Sequence, residues 1–600
     1  MLRYVSVFNR SGQWLFVSFL FMFSVSAVVQ AAGNGLVENT FSWSESRLNA
    51  NSNLFAQPSR NPHLADSYNN QGHWNDAATD STLIAVPRGH FKLTPDSFDI
   101  LPNETLGIPF YASEVQGADV RYFWTGFQLL KLHKTKEGYR EIDRVGIAAD
   151  LDNYRTVSAD ERLRQAHDIE LLLARGDESE LARYLSNQPN RLISAVEDQV
   201  SKGVLYSLFA KDDVFIAANA RGLLRIEQEN PADPNSRMTV PYQVRLPDAL
   251  FDDARAARHT FFPTDTVFGL GMSFSGVLVI NTVSGRLISL NPKTFEVLDT
   301  LLLDDGEVIS NSFATSEELD GRAIYVASNK AMYRFLVNSD GTFIDDSSEG
   351  AWRATYASGG RLPYGKISDG TGATPTLMGF GQGEDELVVI TDGSDQMRLV
   401  AFWRNEIPEA AAPIPGEHPR VAGIHSVDFG LPIAQSEQSV VTAGPYAFVV
   451  SSVPQSQAAP LPARGAYLRG LLMGVTREPV MGLAMYRWEP ESQAWKEQWV
   501  RSDVGSLATV PMLSIPTRQV IINGYFKNRL GEAYHLGFDL DSGDIVMSIA
   551  TGLNPLFNGT FTGLKCDSDG NLWYSMMFGL VTLHTDQMTR VPSPDPRALR

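Results

Sequence analysis

Residues 368–376, Ser-Asp-Gly-Thr-Gly-Ala-Thr-Pro-Thr, have the side chains that could hold a small polar ligand. The two glycines let the backbone approach a ligand closely. The stretch is not a phosphate-binding P-loop, because no Gly-Lys-Ser/Thr sequence follows it. The stretch is the best candidate for ligand contact, although a structural turn leading into an inner strand beside the propeller axis is the interpretation that the residues favour. The carboxylate and hydroxyl groups that could bind the ligand belong to Asp369, Thr371, Thr374 and Thr376.

A second carboxylate, Asp392, follows the predicted strand 388–391. At the end of that strand it could share the mouth of a channel with residues 368–376, and a carboxylate there suits a metal ion or a sugar hydroxyl. An ordinary Asp-Gly turn, which needs no ligand, is the alternative. No catalytic residue is assigned, since the sequence lacks G-x-S-x-G, H-E-x-x-H and C-x-x-C motifs.

Two other polar groups resemble metal sites only in part. Residues 567–571 begin like a calcium-binding loop, but a glycine stands at the fourth position and Phe578 stands where the chelating glutamate belongs. We interpret them as a turn between strands and predict no metal site. His73 and Asp76 lie in an otherwise featureless leader, which is expected to dock onto the folded domain. Metal binding by this pair is a weaker alternative.

The elements that would position these residues are short strands. Segment 276–300 has the pattern of two or three strands joined by tight turns, and looser copies recur along the chain. Eight such units fill roughly 500 residues, near 60 each. Small antiparallel sheets in a ring bury both faces and expose only short edges. We predict an all-β fold, a β-propeller with eight blades, seven being the alternative. The units are 121–132 with 139–147, 203–227, 276–302, 322–336, 386–403, 446–452 with 482–488, 519–547 and 571–583.

Residues 156–200 interrupt the β pattern with helical spacing. Ser158-Ala-Asp-Glu161 has the form of a capping box, and Gly176 ends the apolar periodicity that follows. Residues 178–185 and 191–200 are predicted as a second and a third helix. We expect this small α-helical insertion to cap one end of the ring; a functional lid is the alternative.

The N-terminus has the form of an export signal. Two arginines precede a 16-residue stretch without charge, and Val29-Gln30-Ala31 suits a signal peptidase. A retained anchor is the alternative, but this stretch is short for a membrane span of about 20 residues. The predicted plan is a signal peptide over 1–31, an irregular lead-in crossing the surface over 32–80, the propeller over 81–590 and a tail over 591–600. We therefore expect a periplasmic or extracellular protein without a stable membrane span.

Composition limits the partners. The formal charge is −19 and becomes −21 without residues 1–31, which hold two arginines and no other charged residue. Such an acidic chain repels phosphate backbones, so nucleic-acid binding is disfavoured. Cys566 is the only cysteine, so no internal disulfide can form, and a buried, inert thiol is expected.

Several stretches resemble known propeller families. Residues 287–298 and 536–546 are similar to the turn-centred blades of quinoprotein-like and YVTN-type propellers, and 566–573 with 579–583 resemble gluconolactonase-like blades. Residues 365–379 followed by 388–392 resemble a signature of uncharacterised exported propeller proteins. Quinoprotein alcohol dehydrogenases of this class usually bring adjacent cysteines, a tryptophan-docking repeat and often a C-x-x-C-H haem site. This chain lacks all three, so no cofactor is predicted, with pyrroloquinoline quinone or Ca²⁺ left as alternatives.

The resemblance implies a fold and leaves the activity open. We expect an exported ligand-binding or scaffold protein of the cell envelope, whose partner is a small molecule or an envelope protein. The alternative is an enzyme with its site at the central channel, either a lactonase-like hydrolase or a quinone-dependent dehydrogenase. His425 and Glu437 are further polar candidates, and the oligomeric state is left open.

Overall fold

A computed structural model describes most of the chain and shows a mainly β-stranded protein with few helices, which confirms the all-β prediction. Its strands form eight separate sheets among the described residues, most of them four-stranded and antiparallel. That each sheet is a propeller blade remains a prediction. The described residues are 54–65, 71–102, 107–146, 158–187, 206–260, 262, 264–359, 366–453, 480–507, 509–529, 531–559 and 563–599.

We number the sheets by the chain order of their main strands. Sheet 1 contains Ile108–Val115, Ala118–Trp124, Gln128–Thr135 and Gly138–Gly146. Sheet 2 contains Ser207–Ala210, Val214–Asn219, Gly222–Gln228 and Met238–Arg245. Sheet 3 contains Val267–Met272, Leu278–Thr282, Arg286–Leu290 and Val297–Leu302. Sheet 4 contains Ala314–Thr315, Ala323–Ala327 and Ala331–Val337, the last of which pairs with both Phe343–Ile344 and Trp352–Thr355.

The second half of the chain forms the other four sheets. Sheet 5 contains Thr376–Met378, Leu387–Thr391, Arg398–Trp403 and Val421–Ser426. Sheet 6 contains Val441–Ala443, Tyr446–Val450, Leu483–Glu489 and Ala494–Arg501. Sheet 7 contains Val504–Ser506, Met512–Ser514, Gln519–Phe526, Ala533–Asp539 and Ile545–Gly552, joined by Ser81–Thr82, Gly89–Lys92 and Thr589–Arg590. Sheet 8 contains Phe98–Pro102, Leu572–Met576 and Gly579–Leu583.

Segment 276–300 forms three antiparallel strands, as its turn spacing predicts. Leu278 lies opposite Leu290, and Arg286 lies opposite Leu302. The strands Leu278–Thr282 and Arg286–Leu290 are almost entirely buried, while Val297–Leu302 is partly exposed. The sheet is therefore covered on both faces and meets solvent along its last strand.

One predicted strand is wrong in its boundary. Residues 121–132 were expected to form a single run, but the structure divides them into Ala118–Trp124 and Gln128–Thr135, which pair with each other. The break occurs because Thr125 Oγ1 accepts hydrogen bonds from the backbone N–H groups of Phe127 and Gln128. Apolar content alone did not reveal this tight turn.

Each sheet packs on the next through a cluster of buried apolar side chains. Sheet 1 packs on sheet 2, sheet 2 packs on sheet 3, and so on to sheet 8, which packs on sheet 1. Representative pairs, in that order, are Trp124 with Phe215, Ile216 with Ile280, Val279 with Tyr333, Tyr325 with Val388, Trp403 with Trp488, Phe448 with Leu536, Ile521 with Tyr574 and Trp573 with Leu132.

The two ends of the chain meet in sheet 8. Strand Phe98–Pro102 pairs antiparallel with Gly579–Leu583, with Ile100 opposite Val581. Strand Phe98–Pro102 thus completes a sheet whose other two strands, Leu572–Met576 and Gly579–Leu583, come from a distant part of the sequence. This pairing joins the first and last parts of the sheet succession.

The helical insertion is confirmed over its first two helices. Ala159–Arg175 begins after Ser158, whose Oγ accepts from Glu161 N, and it ends at Gly176, whose φ is 70°. Buried residues of both helices pack in one cluster with Phe578 of sheet 8. The third predicted helix lies outside the described residues. In the described part of the chain the α-helices are Ala159–Arg175, Glu178–Ser186, Asp253–His259 and Glu318–Gly321.

The predicted signal peptide over 1–31 also lies outside the described residues. Among the residues that are described, no helix is both long and apolar enough to cross a membrane.

Candidate functional site

The N-terminal lead-in passes through the interior of the molecule. The prediction that the lead-in over 32–80 runs over the surface is wrong for its residues 74 and 77–80, because they are buried: Trp74 is 6% exposed and Ala77 is 1% exposed. Its backbone carbonyls accept hydrogen bonds from strands of sheets 4, 5, 6 and 7. The hydrogen bonds run to Asp76 O from Thr315, to Ala77 O from Leu377, to Thr79 O from Thr442 and to Asp80 O from Leu513.

A cavity of about 90 Å³ lies where this lead-in meets the first strands of the sheets. Ile108 and Phe268 of its wall belong to strands of sheets 1 and 3, and the other wall residues come from the lead-in and from segments between strands. We call it the central cavity. It can hold a few water molecules or a small ligand. Its wall is formed by Gly72, His73, Ile108, Tyr206, Phe268, Ser310, Asn311, Ile367, Gly372, Glu437, Gln438, Ser439, Val510 and Gly563.

His73 is bonded at both ring nitrogens. Its Nδ1 lies 2.9 Å from Asp80 Oδ2, and its Nε2 lies 3.1 Å from Thr374 Oγ1. Thr374 Oγ1 also lies 3.0 Å from Asn311 Oδ1, which accepts from the hydroxyl of Tyr206 as well. A continuous carboxylate–imidazole–hydroxyl chain therefore runs beside the cavity, and His73 is its member that lines the wall.

Glu437 forms a buried ion pair beside the cavity. Its Oε1 lies 3.3 Å from Lys366 Nζ, and the side chains of the two residues are 1% and 0% exposed. Burial raises the pKa of the Glu437 carboxyl, and the nearby Lys366 ammonium opposes that shift. A Cβ atom at Gly372 would lie 1.9 Å from Glu437 Oε2, so only glycine leaves room for this carboxylate.

Two neighbouring side chains carry buried polar atoms without hydrogen-bond partners among the described residues. These atoms are Oε2 of Glu437 and both Oε1 and Nε2 of Gln438. Glu437 is 3% exposed and Gln438 is 2% exposed. Because buried polar groups are usually satisfied, this cluster marks a place where a bound molecule or ordered water would fit.

Lys565 ties the lead-in to sheet 8. Its Nζ donates to Gln71 O at 2.9 Å and to His73 O at 3.3 Å, and it lies 5.5 Å from the centre of the Trp74 ring. Burial lowers the pKa of Lys565 to about 7, because the charged ammonium loses its hydration. Its charge is therefore sensitive to pH near neutrality.

The predicted stretch 368–376 borders the central cavity, but its members differ in their surroundings. Thr374 belongs to the chain of hydrogen bonds described above. Thr371 Oγ1 accepts from Ala373 N, and Thr376 Oγ1 donates to Ala78 O and Val440 O, so both hydroxyls bond to backbone. Asp369 accepts from Asn329 Nδ2 at 3.0 Å. Ligand contact by these residues stays a prediction.

Asp392 is tied to its own turn and to an arginine. It is fully buried and accepts from Ser394 N and from Arg398, whose Nε lies 2.5 Å from Asp392 Oδ2. Its neighbour Gly393 packs against the backbone of Asp369. The two predicted aspartates are thus near each other, yet the described contacts of Asp392 are those of an ion-paired turn.

No group of three or more His, Cys, Asp or Glu side chains in the described part of the chain could hold a metal ion. His73 and Asp76 have separate partners, since Asp76 accepts from Asn61 and Thr315 instead. Asp567 Oδ1 accepts from the N–H groups of Asp569 and Asn571, which is the geometry of a turn.

A quinone cofactor does not fit the central cavity. Sites for ligands of that size enclose about 300–1,000 Å³, whereas this cavity encloses about 90 Å³. The lead-in residues Gly72 and His73 occupy one side of it. Any ligand bound here must be much smaller.

Sequence patterns found only part of this site. Glu437 and His73 were singled out as polar residues, although neither was placed at a shared cavity. Lys366, Gln438, Asn311 and Tyr206 were missed, and no shared sequence pattern marks them. In the structure each of them precedes the first strand of a sheet.

Comparison with known proteins gives one sequence relative. No family model matches the chain. An uncharacterized protein of Archaeoglobus fulgidus is 29% identical over 326 residues, which are 53% of this chain and 61% of that protein. The match thus covers less than two thirds of the relative's length.

Solved structures give distant likenesses. A quinohemoprotein alcohol dehydrogenase of Pseudomonas putida HK5 is 9% identical, with a TM-score of 0.45 over 93% of this chain and 85% of that one. A europium-containing methanol dehydrogenase is 9% identical, with a TM-score of 0.46 over 85% and 90%. BamB from Moraxella catarrhalis is 14% identical, with a TM-score of 0.29 over 62% and 93%. At these scores the likenesses carry no information about activity.

Proposed function

We propose that the chain is an exported, eight-bladed β-propeller of the cell envelope that binds a small neutral molecule in its central cavity. The carrying observation is that Glu437 and Gln438, two residues that line the cavity, have buried side-chain atoms without hydrogen-bond partners among the described residues. An unsatisfied buried polar group costs about 1–3 kcal/mol. A ligand with hydrogen-bond donors and acceptors would recover that cost.

Eight blades are supported by the packing of the sheets. Each described sheet contacts the next through its own apolar cluster, and sheet 8 contacts sheet 1 through Trp573 and Leu132. A ring of this kind places one end of every first strand at a common centre. The convergence of residues from many parts of the sequence on one cavity is consistent with such a ring.

The charges of the wall favour a neutral ligand. Lys366 balances Glu437 within the same buried pair. The Gln438 amide is neutral and offers one acceptor and two donor hydrogens. A net-charged ligand would lose its hydration without gaining an unpaired opposite charge, so we expect a small amide, urea-like compound or polyol.

Thermal unfolding with small probes tests this function. Acetamide, urea at low concentration, glycerol and acetate are added separately to the purified chain. At least one neutral probe should raise the Tm, acetate should not, and Gln438→Ala should abolish the increase. If no neutral probe raises the Tm and mass spectrometry finds no co-purified small molecule, the proposal is wrong.

A hydrolase is the second candidate, and the Asp80–His73–Thr374 chain favours it. The Thr374 hydroxyl donates to Asn311 Oδ1 in this structure, so it would first have to turn its proton to His73 Nε2. Thr374 Oγ1 would then attack an ester carbonyl carbon while His73 Nε2 takes that proton and returns it to the leaving alcohol. Water would then release the acyl group. Incubation with p-nitrophenyl acetate should acetylate Thr374 in the intact protein and leave Thr374→Val unmodified; an unmodified native protein would exclude this candidate.

Export rests on the sequence of residues 1–31. Mass spectrometry of the protein from fractionated cells should find a mature N-terminus directly after Ala31 or Ala32 in the periplasmic or secreted fraction. An intact Met1 in the cytoplasmic fraction would contradict export.

A further inference from the structure

A second cavity lies at the opposite end of the first strands. Strand Ala314–Thr315 follows Ser310 and Asn311 of the central cavity and precedes Ser316 and Glu317 of the second one. The second cavity encloses about 140 Å³. A cavity of about 150 Å³ can hold benzene, so a ligand of about six non-hydrogen atoms fits here. We call it the Arg404 cavity.

Arg404 brings a buried positive charge to this cavity. The residue is 3% exposed, its Nη2 donates to Gly379 O at 3.0 Å, and its Cζ lies 5.1 Å from the centre of the Phe380 ring. Its Nη1 has no hydrogen-bond partner among the described residues. A guanidinium N–H of this kind matches a carboxylate oxygen.

The acidic residues of the same wall have unequal roles. Both carboxylate oxygens of Glu318 already have partners within the protein. Its Oε1 lies 2.7 Å from Arg404 Nε, and its Oε2 accepts from the Tyr325 hydroxyl. Glu317 and Glu386 also line the cavity and are exposed. Since Glu318 balances Arg404, the other two carboxylates leave the opening negative, which repels simple anions and attracts an ammonium group.

We propose that the Arg404 cavity binds a small zwitterionic amino acid such as glycine or alanine. The ligand carboxylate accepts from Arg404 Nη1, and its ammonium group faces Glu317 and Glu386. Each ligand charge then meets the opposite charge. A ligand with only one of these charges can form only one of the two contacts, either with Arg404 or with the two glutamates.

Isothermal titration calorimetry of the full chain tests the proposal with glycine, alanine, acetate and methylammonium as probes. Glycine or alanine should bind at least about tenfold more tightly than acetate or methylammonium, a difference of about 1.4 kcal/mol. Failure of both amino acids to bind, or equal binding of acetate, would overturn it.

Variants locate the binding. Glu317→Gln, on an exposed residue, should weaken glycine binding about fivefold or more, whereas Glu409→Gln, an exposed residue outside the cavity, should leave it unchanged. Arg404→Lys should abolish binding if circular dichroism shows that it folds; otherwise the double variant Glu317→Gln/Glu386→Gln decides. Gln438→Ala should not affect glycine binding, which separates this site from the central cavity. If Glu317→Gln and Glu317→Gln/Glu386→Gln both bind glycine as tightly as the native chain does, the Arg404 cavity is not the binding site.

Discussion

The imidazole of His73 joins two parts of the chain that lie far apart in sequence: its Nδ1 is 2.9 Å from Asp80 Oδ2, and its Nε2 is 3.1 Å from Thr374 Oγ1. The first contact closes a turn within the lead-in. The second attaches that turn to the segment before sheet 5. His73 therefore fixes the lead-in against the wall of the central cavity.

Removal of this ring should loosen the lead-in. In His73→Ala, Asp80 keeps a carboxylate that is 4% exposed and loses its imidazole partner, which we expect to cost about 1–3 kcal/mol. Limited chymotrypsin digestion should cut the variant faster after Trp74, which is buried in the native chain. His425→Ala, on the last strand of sheet 5, is the matched control and should be cut at the native rate. Equal rates for both variants would contradict the role of His73.

Asp76 should make stability fall as pH rises. Burial raises its pKa to about 7 from 3.8, so between these values the native chain holds a proton that the unfolded chain releases. Its stabilising effect is complete below about pH 4 and is lost as pH passes about 7. The shift corresponds to at most about 4 kcal/mol, and to less for a side chain that retains some contact with water.

Chemical denaturation at pH 5 and pH 8 measures this loss. Asp76→Asn can still accept from Asn61 and Thr315, so it should lose less stability than the native chain between these two conditions. Asp305→Asn, on an exposed residue, should behave like the native chain. An Asp76→Asn variant with the native pH dependence would show that Asp76 ionises normally.

Lys565 should make stability rise as pH rises, which is the opposite of the effect of Asp76. Burial lowers its pKa to about 7 from 10.5, so the unfolded chain binds the proton more tightly in this window. Stability should therefore rise between about pH 7 and 9, by at most about 3 kcal/mol. Lys565→Met should remove the rise, and exposed Lys527→Met should preserve it. A rise that persists in Lys565→Met would refute this assignment.

Gly372 should tolerate no side chain. In Gly372→Ala the new Cβ would lie 1.9 Å from Glu437 Oε2, within a buried carboxylate that also pairs with Lys366. We expect a loss of about 1–3 kcal/mol in unfolding free energy from this overpacking, together with loss of any Tm increase by neutral probes. Gly531→Ala, which meets nothing within 4 Å, is the control and should retain both. A stable Gly372→Ala with native probe response would contradict the described geometry.

The sequence predicted local elements better than distant pairings. Strand runs such as Leu278–Thr282 and the cap at Ser158 follow from periodicity and turn chemistry within a few residues. The pairing of Phe98–Pro102 with Gly579–Leu583 could not be predicted in this way, because its partners are separated by almost the whole chain. The burial of residues 74 and 77–80 was also missed, since the irregular backbone of the lead-in bonds to strand edges and leaves no periodic signal.

In the candidate site, too, residues with a local sequence pattern were predicted, and residues brought together only by the fold were not. Thr374 was found because it lies in a glycine- and threonine-rich stretch. Gln438 lies in a stretch without a recognisable pattern, and only the fold places it at the cavity. A single glutamine before a strand carries no signal until its neighbours in space are known.

The most direct test of ligand binding in the central cavity is a high-resolution crystal structure of the chain grown with the neutral probe that raises the Tm most. We expect the probe to lie in the central cavity, within hydrogen-bond distance of Glu437 Oε2 and the Gln438 amide. Density for water alone on these atoms, with the probe absent or bound elsewhere, would contradict it.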